Sequence, residues 1–524
     1  MASITFYGGA RELGGNQFLI SDRCTNVMLD FGINFDRWGK LYLFPQGPPK
    51  YRALRDLTKL GLCPDFSAVP DFDGVYRQDY LRHIGREPTS RPTLDAFVLS
   101  HAHLDHAYFL HFLRHDIPVY MDKHTKRILF SMQQTTGMQY SEYVDFKYAY
   151  GQTESTSSDK KRWMQGDEVT VSRDTRLIEP PKPFTIGSIT FEPIYVDHSM
   201  PGTCAFIIHT SKGKIVYSAD LRMRGRRPQE TENFVRIAAK ASPDYLLCEG
   251  SLIWKTHYGT EDDVGEDIQS VIEDKDGLVV ISYAPRDLDR VLTLFNVAKK
   301  SKRKLVISTK QAYLLDLFNG DFGFPRTHLK NIGVYVPKKG KGLLDTGQDG
   351  EEGDYYRWER QYVDHDNRVS SAELNKNPRD YILCLSGAIL DDLIEIEPPK
   401  GSIYIRAHPE PYTEEMELGE NVLESWLRRF NLLDDEDKNL AFYASRGKGR
   451  QLDLFRPDPE PTEKYNVPQR HVTGHMSMEE TAYVINSINP RTLVPIHTIN
   501  PEMFHDMGFN GRIWTPRLGD VLEL

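Results

Sequence analysis

The stretch Ser100-His101-Ala102-His103-Leu104-Asp105-His106 carries the strongest functional signal in this chain. It follows an apolar, strand-like run over 93–99 and places three imidazoles and a carboxylate within six residues. Imidazole and carboxylate groups are ligands for Zn²⁺, Mn²⁺ and Fe, and such close spacing lets one turn present several of them. Because Asp105 and His106 are adjacent, one loop can also reach two neighbouring metals. The pattern predicts a metal site at the end of a buried strand rather than a solvated histidine cluster.

The composition is that of an ordinary globular protein. Of the 524 residues, 39% are hydrophobic and 11% aromatic, enough to build full cores in about two to four domains. The formal net charge of −10 argues against a protein that coats nucleic acid without specificity. Local basic clusters are compatible with a basic channel that binds nucleic acid, although each cluster is more typical of a solvated surface. These clusters are Arg222 with Arg224, Arg226 and Arg227, then Lys299 to Lys304, and Arg446 to Arg450.

The sequence carries no sign of export or membrane insertion. The five cysteines show no CxxC spacing, which argues against both a disulfide framework and a thiolate zinc finger. The N-terminus has neither the basic segment nor the long apolar segment of a secretion signal. No apolar stretch approaches the ~20 residues that span a bilayer. We therefore expect a cytoplasmic protein with no membrane partner.

Strand-like and helix-like segments mix along the chain, which predicts an α/β fold. Strands are expected within 1–35, around a Gly-rich turn that lets the backbone approach a neighbour, and again over 189–218. A helix is expected over 107–115. From about residue 250 helices and strands alternate, which implies βα units and a parallel sheet. Residues 36–92, rich in Pro and aromatic side chains, are expected to form an ordered excursion that covers one edge of the metal cleft.

Three further candidate ligands follow apolar strands downstream. They are His198 after the run ending at Val196, Asp220 after the run over 214–218, and His497 after Leu493-Val494-Pro495-Ile496. Each alone is more typical of a turn or cap residue. Their shared placement strengthens the prediction that all three are metal ligands, because ligands at one edge of a sheet are held by rigid backbone.

Taken together, these residues resemble the ligand order of the metallo-β-lactamase superfamily. That order is His-x-His-x-Asp-His, then a later His, an Asp after a strand and a final His. The chain is most similar to the β-CASP branch and, within it, to ribonuclease J. Four passages carry the similarity: Gly8 to Asn16 with Leu29-Asp30-Phe31-Gly32; His198-Ser199-Met200-Pro201 through Ser218-Ala219-Asp220; Leu247-Cys248-Glu249-Gly250; and His471-Val472-Thr473-Gly474-His475 with Val494-Pro495-Ile496-His497.

The resemblance implies an α/β fold, a metallo-β-lactamase αββα sandwich with an inserted α/β β-CASP domain. Residues 1–250 and 447–524 would form the core, and residues 251–446 the insert. The resemblance also implies two divalent metal ions, zinc in the first place and manganese as the alternative. One ion would be held by His101, His103 and His198, the other by Asp105, His106 and His497, with Asp220 bridging both.

By the same resemblance, Asp105, Glu249 and His475 would carry the chemistry. A leaving 3′-oxygen needs a proton or a positive charge, and an imidazole beside a carboxylate is a good donor near pH 7. We therefore predict that His475 is a general acid or transition-state stabiliser, oriented by Glu249. The alternative is a structural pair, with Glu249 in a salt bridge and His475 at the start of a helix.

The turn before that helix is predicted to bind substrate. Free backbone N–H groups at a helix N-terminus suit a nucleic-acid phosphate, and the resemblance implies a pocket for a 5′ phosphate there. The predicted contacts are His471, Thr473, Gly474 and Ser477. Three positions depart from the usual family pattern: Thr473 replaces a Ser, Met476 replaces a small residue, and Thr498-Ile499 replaces Gly-Glu after the final His.

The leading hypothesis is a metal-dependent ribonuclease of RNA processing or decay. It would act on single-stranded RNA as a 5′–3′ exonuclease, an endonuclease or both, with a hydroxide activated by two metals. The alternatives are a DNA nuclease of the same branch, a hydrolase of small thioesters or lactones, and a non-catalytic nucleic-acid-binding scaffold. The α/β insert and the Glu249/His475 pair disfavour the small-molecule hydrolase, and the full ligand set disfavours the scaffold. Because only 27 residues follow His497, we expect no further C-terminal domain, and homodimerisation stays open.

Overall fold

The computed structural model describes residues 2–66, 74–83, 86, 89, 91–153, 162–254, 259–340, 354–385, 390–408, 414–432 and 472–524. Contacts divide the chain into two compact units. The first unit comprises Met1–Met223, Arg227–Thr256 and Gly474–Leu524, and the second comprises Arg224–Arg226 and His257–Thr473. The sequence places the domain boundaries at 250/251 and 446/447. Because residues 433–471 are not among those described, these boundaries stay a prediction.

Two seven-stranded sheets form most of the first unit, with strands numbered in chain order. The first sheet contains, in spatial order, β22 (Val521–Glu523), β1 (Ala2–Gly8), β2 (Gln17–Asp22), β3 (Thr25–Leu29), β4 (Ala96–Val98), β5 (Val119–Asp122) and β8 (Thr175–Ile178). The second contains β21 (Arg512–Ile513), β20 (Thr492–Ile496), β13 (Tyr245–Glu249), β12 (Lys214–Tyr217), β11 (Cys204–His209), β10 (Ile189–Tyr195) and β9 (Phe184–Ile186). A separate antiparallel hairpin consists of β6 (Asp145–Thr153) and β7 (Arg162–Ser172).

Each of these two sheets is half antiparallel and half parallel. In the first sheet the antiparallel half runs from β22 to β3 and the parallel half from β3 to β8. In the second sheet the antiparallel half runs from β9 to β12 and the parallel half from β12 to β21. Every residue of the parallel strand β20 is buried, as expected for a strand covered on both faces. The edge-side strand β1 instead alternates between buried and half-buried residues.

The helices of the first unit lie between and after these strands. They are α1 (Phe35–Gly39), α2 (Ala53–Lys59), α3 (Gln78–His83), α4 (Leu104–Ala107), α5 (Lys123–Thr135), α6 (Pro228–Ala241) and, near the C-terminus, α14 (Met478–Ile488). Short 3₁₀ helices occupy Lys50–Arg52, Tyr108–Phe112 and Pro501–Met507. The described part of the 36–92 segment thus contains α1, α2 and α3, and its predicted place over one edge of the metal cleft stays a prediction.

The inner faces of the two sheets share one hydrophobic core. Phe6 and Phe18 enter it from the first sheet, and Phe206, Tyr217 and Val494 from the second. Helices α6 and α14 pack on the outer face of the second sheet in another apolar cluster, while α5 contacts β5 of the first. The layers are thus helix, sheet, sheet, helix, which confirms the predicted αββα fold class.

The prediction of a helix over 107–115 is wrong. The chain forms the single-turn α4 and then the 3₁₀ helix Tyr108–Phe112. Neighbouring backbone takes part in the bonding there: the N–H of Phe31 donates to the oxygen of His106 at 2.7 Å, and the oxygen of Phe31 accepts from Phe109 at 2.9 Å. Tertiary hydrogen bonds therefore replace the pattern that a continuing α-helix needs.

The Gly-rich turn after β1 packs its backbone against the stretch from Ser100 to His106. Gly14 has a φ of +72°, and a Cβ added to it would lie 2.8 Å from the side chain of Asp105. On the facing segment, a Cβ on Gly32 would lie 1.6 Å from the backbone oxygen of Asp105. Glycine is required at both positions because nothing larger fits. The turn thus makes the close approach that the sequence predicts.

The second unit is built on a six-stranded sheet. In spatial order the strands are β17 (Arg368–Val369), β16 (Ile332–Tyr335), β15 (Lys304–Ser308), β18 (Tyr381–Leu385), β14 (Val279–Ser282) and β19 (Ile403–Arg406), all parallel. Its helices are α7 (Glu261–Ile272), α8 (Leu288–Lys300), α9 (Thr309–Phe318), α10 (Arg360–Val363), α11 (Ser371–Lys376), α12 (Asp392–Ile396) and α13 (Glu414–Arg429), with 3₁₀ turns at Asp321–Gly323 and Pro378–Asp380. This confirms the βα alternation read from the sequence. None of the described helices in the chain is long and apolar enough to cross a membrane.

Replacing Phe206 with Ala should test the core between the two sheets. Phe206 is fully buried there, so its loss should destabilise the first unit by about 3–5 kcal/mol. The measurement is the shift of the urea-unfolding transition. Leu518→Ala is the control, because Leu518 is 46% exposed and its truncation should cost less than about 0.5 kcal/mol. Equal shifts for the two variants would contradict a core shared by both sheets.

Candidate metal centre

Strand ends deliver the candidate residues to one place in the first unit. The loop after β4 carries His101 and His103, α4 carries Asp105 and His106, and His198, Asp220, Glu249 and His497 lie at or just beyond the ends of β10, β12, β13 and β20. The end of β4 in the first sheet thus lies close to the ends of β10, β12, β13 and β20 in the second. Asp30, Ala219 and His497 also adopt positive φ angles of 55°, 51° and 52°, which non-glycine residues adopt rarely and which cluster at functional sites.

The first group of candidate ligands consists of His101, His103, His198 and Asp220, whose ligand atoms lie within 4.8 Å of one another. The Nε2 atoms of His101 and His198 each lie 3.0 Å from Nδ1 of His103. Nδ1 of His198 donates to the backbone oxygen of Gly474 at 2.6 Å, so its Nε2 lone pair faces His103. Burial lowers the pKa of His101 and His198 well below the ordinary value, and that of His103 to about 4. Three neutral imidazoles converge, as metal ligation requires.

The second group consists of Asp105, His106, Asp220 and His497. Nδ1 of His106 donates to Asp30 Oδ2 at 2.8 Å, and its Nε2 lies 3.2 Å from Asp220 Oδ2. Nε2 of His497 lies 3.1 Å from Asp105 Oδ2. Burial alone would lower the pKa of His106, but the Asp220, Asp30 and Asp105 carboxylates outweigh it and raise that pKa well above its ordinary value. The same carboxylates attract a metal cation, whose binding displaces the proton.

Asp220 belongs to both groups and shows whether the residues fit a metal. Its side chain is buried, and neither carboxylate oxygen has a hydrogen-bond partner among the described residues. Nε2 of His106 is also buried and unpartnered there. The nearest positive group is Nε2 of His106, 3.2 Å from Oδ2, and a divalent cation beside this buried carboxylate would offset its desolvation further. Because imidazole and carboxylate donors suit divalent metals, the residues present fit two such ions sharing Asp220.

A hydrogen-bond network behind the ligands fixes the ring of His106. Oδ2 of Asp30 accepts from His106 and, at 2.6 Å, from the hydroxyl of Tyr217. The backbone N–H of Ser100 donates to Oδ1 of Asp30 at 2.8 Å, and Asn16 donates to the Tyr217 hydroxyl at 3.1 Å. A carboxylate that holds the far nitrogen of a ligand histidine sets the tautomer and orientation of its ring.

Ser251 links His497 to Glu249. The Ser251 hydroxyl lies 2.8 Å from Glu249 Oε2 and must donate there, since a carboxylate only accepts. Nδ1 of His497, 2.6 Å from the same hydroxyl oxygen, is then the donor of the other bond. This leaves the lone pair of His497 on Nε2, facing Asp105. The chain of three residues therefore selects the tautomer of His497 that can bind a metal.

His475 lies beside the candidate metal ligands and contacts Glu249. Its Nδ1 is 3.2 Å from Glu249 Oε1 and 3.9 Å from Asp220 Oδ2. Burial alone would lower the pKa of His475, but the Glu249 and Asp220 carboxylates raise it to about 9. The His475 side chain is 22% exposed, whereas that of Glu249 is 1% exposed. An imidazolium held by a buried carboxylate and open to solvent is able to donate a proton near neutral pH.

The residues predicted to bind substrate differ in their surroundings. His471 lies outside the described residues, and Thr473 belongs to the second unit. Gly474 packs against His198, since a Cβ there would lie 2.8 Å from Cε1 of that ring. Ser477 is buried and caps α14 within a capping box. Gly474 and Ser477 therefore have local structural contacts, and phosphate binding by this turn stays a prediction.

The sequence did not reveal the hydrogen bonds that Ser251 and Tyr217 make around the candidate ligands. Ser251 stands two residues after Glu249, but its contact with His497 joins positions 246 residues apart. Tyr217 ends an apolar strand and reads as a core residue. Its hydroxyl could have indicated a polar contact, because a buried tyrosine hydroxyl needs a hydrogen-bond partner.

No protein-family model matches this chain. Ribonuclease J of Pyrococcus abyssi is 21% identical over 559 residues, covering 100% of this chain and 97% of that protein. Ribonuclease J of Methanocaldococcus jannaschii is 23% identical over 376 residues, covering 66% of this chain and 71% of that protein. Over its whole length the chain is similar to ribonuclease J. A crystal structure of a protein of unknown function from Enterococcus faecalis shares the fold of this ribonuclease J-like chain over the whole length of both, with a TM-score of 0.67 at 20% identity.

The similarity to ribonuclease J confirms the predicted superfamily, the fold class and a hydrolytic enzyme. Within this ribonuclease J-like chain, the structure brings together all seven residues predicted as metal ligands, in the two groups expected. Their role as ligands stays a prediction, and so does the identity of the metal.

Replacing Ser251 with Ala should weaken metal binding at one group alone. The change removes the acceptor that holds Nδ1–H of His497, so the ring loses its selected tautomer. We expect the affinity of the group containing His497 to fall about 10- to 100-fold, with the group of His101, His103 and His198 unchanged. Chelator-competition titration with metal counting by mass spectrometry resolves the two affinities.

Ser188→Ala is the matched control for this experiment. The hydroxyl of Ser188 donates to the backbone oxygen of Asp22 and also contacts Thr25, and neither of these residues is a candidate metal ligand. The control should bind both metals as the unchanged protein does. Two unchanged affinities in Ser251→Ala would contradict the positioning role of the serine.

Proposed function

We propose that this chain is a metal-dependent ribonuclease that hydrolyses phosphodiester bonds in RNA. The observation that carries the proposal is the pair of ligand groups sharing the buried Asp220, with the Glu249–His475 pair beside them. The full-length similarity to ribonuclease J supports RNA as the substrate. This geometry offers what in-line hydrolysis needs: a place for the attacking oxygen, compensation for the phosphoryl charge and a proton donor.

The metal ligands and their partners have defined parts in this proposal. His101, His103 and His198 would hold one divalent ion, and Asp105, His106 and His497 the other, with Asp220 common to both. Divalent ions held there would supply an activated water and positive charge for the phosphoryl oxygens. Asp30 and Ser251 keep His106 and His497 in the tautomers that present Nε2. Zinc is the first candidate and manganese the second.

His475 acts at the leaving oxygen. Glu249 binds Nδ1 of His475 at 3.2 Å, which leaves Nε2 for the substrate. The Glu249 and Asp220 carboxylates outweigh burial and raise the pKa of His475 to about 9, which favours the protonated form that can donate. The imidazole transfers the Nε2 proton to the departing 3′-oxygen, or stabilises negative charge there, and Glu249 holds the ring in line throughout.

Single-stranded RNA is the proposed substrate. Cleavage proceeds from a 5′ monophosphate end, at internal bonds, or in both ways. The proposed contact for the terminal phosphate is the turn that holds His471, Thr473, Gly474 and Ser477. The position of Gly474 against His198 supports this assignment, since it joins that turn to a candidate metal ligand.

Replacing His475 with Ala should slow RNA cleavage about 10²- to 10⁴-fold. The variant loses the proton donor but keeps all seven residues of the two ligand groups that share Asp220, so its metal content should stay that of the unchanged protein. Single-turnover cleavage of 5′-monophosphate RNA, with Zn²⁺ and Mn²⁺ tested separately, measures the effect. Matched substrates are the same sequence with a 5′-hydroxyl end and the same sequence as DNA.

His505→Ala is the control, because His505 is an exposed histidine of the same unit on the 3₁₀ helix Pro501–Met507. It should cleave at the unchanged rate. Mononucleotide products indicate exonuclease action and internal fragments indicate endonuclease action. Cleavage of DNA alone would replace the proposal with a DNA nuclease. A metal-loaded protein that cuts neither polymer would refute the nuclease altogether.

A further inference from the structure

The second unit carries an exposed group of aromatic and basic side chains that the metal chemistry does not use. It lies where the chain leaves the carboxyl ends of β15 and β16: α9 begins directly after β15, and Lys339 follows β16. We call it the aromatic–cation surface, formed by Lys310, Tyr313, Lys339, Tyr356, Arg357 and Trp358. The carboxyl ends of parallel strands are the usual place for ligand contacts in open α/β sheets.

The aromatic part of this surface faces solvent. Tyr356 is 67% exposed, the largest value among the described large hydrophobic side chains. Its ring is nearly parallel to that of Trp358, at 10° with centroids 6.4 Å apart. Tyr313 meets the Trp358 ring edge-on at 5.6 Å and 62°. The group therefore presents flat aromatic faces held in a fixed relation, and such exposed apolar area points to a binding partner.

The side chain of Lys339 places positive charge against these rings, and two exposed cations belong to the same surface. The Lys339 ammonium lies 4.9 Å from the centroid of Tyr356 and pairs with the buried carboxylate of Glu359 at 2.5 Å. That carboxylate also accepts from the hydroxyl of Thr309. Lys310 and Arg357 are both exposed, and Arg357 stands between the two stacked rings in sequence. Partial burial, together with the nearby charge of Lys339, lowers the pKa of Lys310, so an anion bound here would relieve repulsion between the two ammonium groups.

We propose that the aromatic–cation surface binds single-stranded RNA, with bases stacked on Tyr356 and Trp358 and backbone phosphates paired with Lys310 and Arg357. The inference rests on the proposed function, and it gives the ribonuclease an RNA contact formed by none of the candidate metal-centre residues. Stacking accepts any base, because every base has a π-face, so this contact should show little sequence preference.

RNA matches both halves of the surface better than a protein segment does. An apolar peptide would use the rings but leave Lys310 and Arg357 without counter-charges. An acidic peptide would pair with the cations but cover Tyr356 less well. A single strand of RNA supplies a flat base and a phosphate at each nucleotide, which is the alternation that this surface presents.

Replacing Tyr356 with Ala tests the stacking. The measurement is equilibrium binding of fluorescent single-stranded RNA, read by anisotropy in a His475→Ala background so that the RNA stays intact. We expect Tyr356→Ala to raise the Kd for a 20-nucleotide RNA at least about fivefold, and Tyr356→Phe to keep it within about twofold. Against inorganic polyphosphate, which has no bases, Tyr356→Ala should bind as the unchanged protein does.

Replacing Arg357 with Gln tests the charge separately. Removing one phosphate contact should lower the slope of log Kd against log salt by about 0.7 for a single strand. Tyr483→Ala is the matched control for all these measurements, because Tyr483 is an exposed tyrosine of the first unit, at 51% exposure. It should leave both the Kd and the salt slope unchanged.

Each outcome decides the proposal. An unchanged RNA affinity in Tyr356→Ala overturns the surface as an RNA site, and so does an equal loss of polyphosphate binding. A change in oligomeric state of Tyr356→Ala, measured by sedimentation, would assign the surface to contacts between copies of the chain and overturn the proposal as well. Failure of the proposed function looks different, because the protein with its full native sequence would then cleave no RNA at all.

Discussion

The buried carboxylate of Asp220 is the constraint on which the candidate site depends. Oδ2 lies 3.7, 3.2 and 3.8 Å from Nε2 of His101, His106 and His497, and neither oxygen has a hydrogen-bond partner in the described part of the chain. A charge so placed needs positive charge next to it. The outward nitrogens of His198, His106 and His497 are each bonded to a fixed group, so their other nitrogens point inward. The site is thus arranged for cations before any cation arrives.

The fold makes this arrangement rigid. Each sheet of the first unit has a parallel half, and strands of the parallel halves end where the ligands begin. Glu249, at the end of β13, then serves two neighbours at once: one oxygen holds His475, and the other holds Ser251 and through it His497. The orientation of His475 and the tautomer of the candidate ligand His497 therefore depend on the same carboxylate. A change at Glu249 should disturb both together.

The sequence predicted those parts of the molecule that short spacing or strand ends encode. Ser100 to His106 identified a ligand cluster, and His198, Asp220 and His497 were found because each follows an apolar strand. The helix expected over 107–115 does not form, because backbone hydrogen bonds with Phe31 replace those of a continuing helix. Ser251 and Tyr217 could not be found, since their roles depend on contacts with residues far away in sequence. The exposed rings of Tyr356 and Trp358 gave no pattern that distinguishes a surface from a core.

The most direct test of this account is anomalous diffraction at the zinc absorption edge from crystals of the zinc-loaded protein. The account predicts two peaks on either side of the Asp220 carboxylate, about 3.5–4 Å apart as in other two-metal sites. One peak should lie among His101, His103 and His198, and the other among Asp105, His106 and His497. A single peak, or two peaks that Asp220 does not touch, would contradict the shared carboxylate as the organising feature of the site.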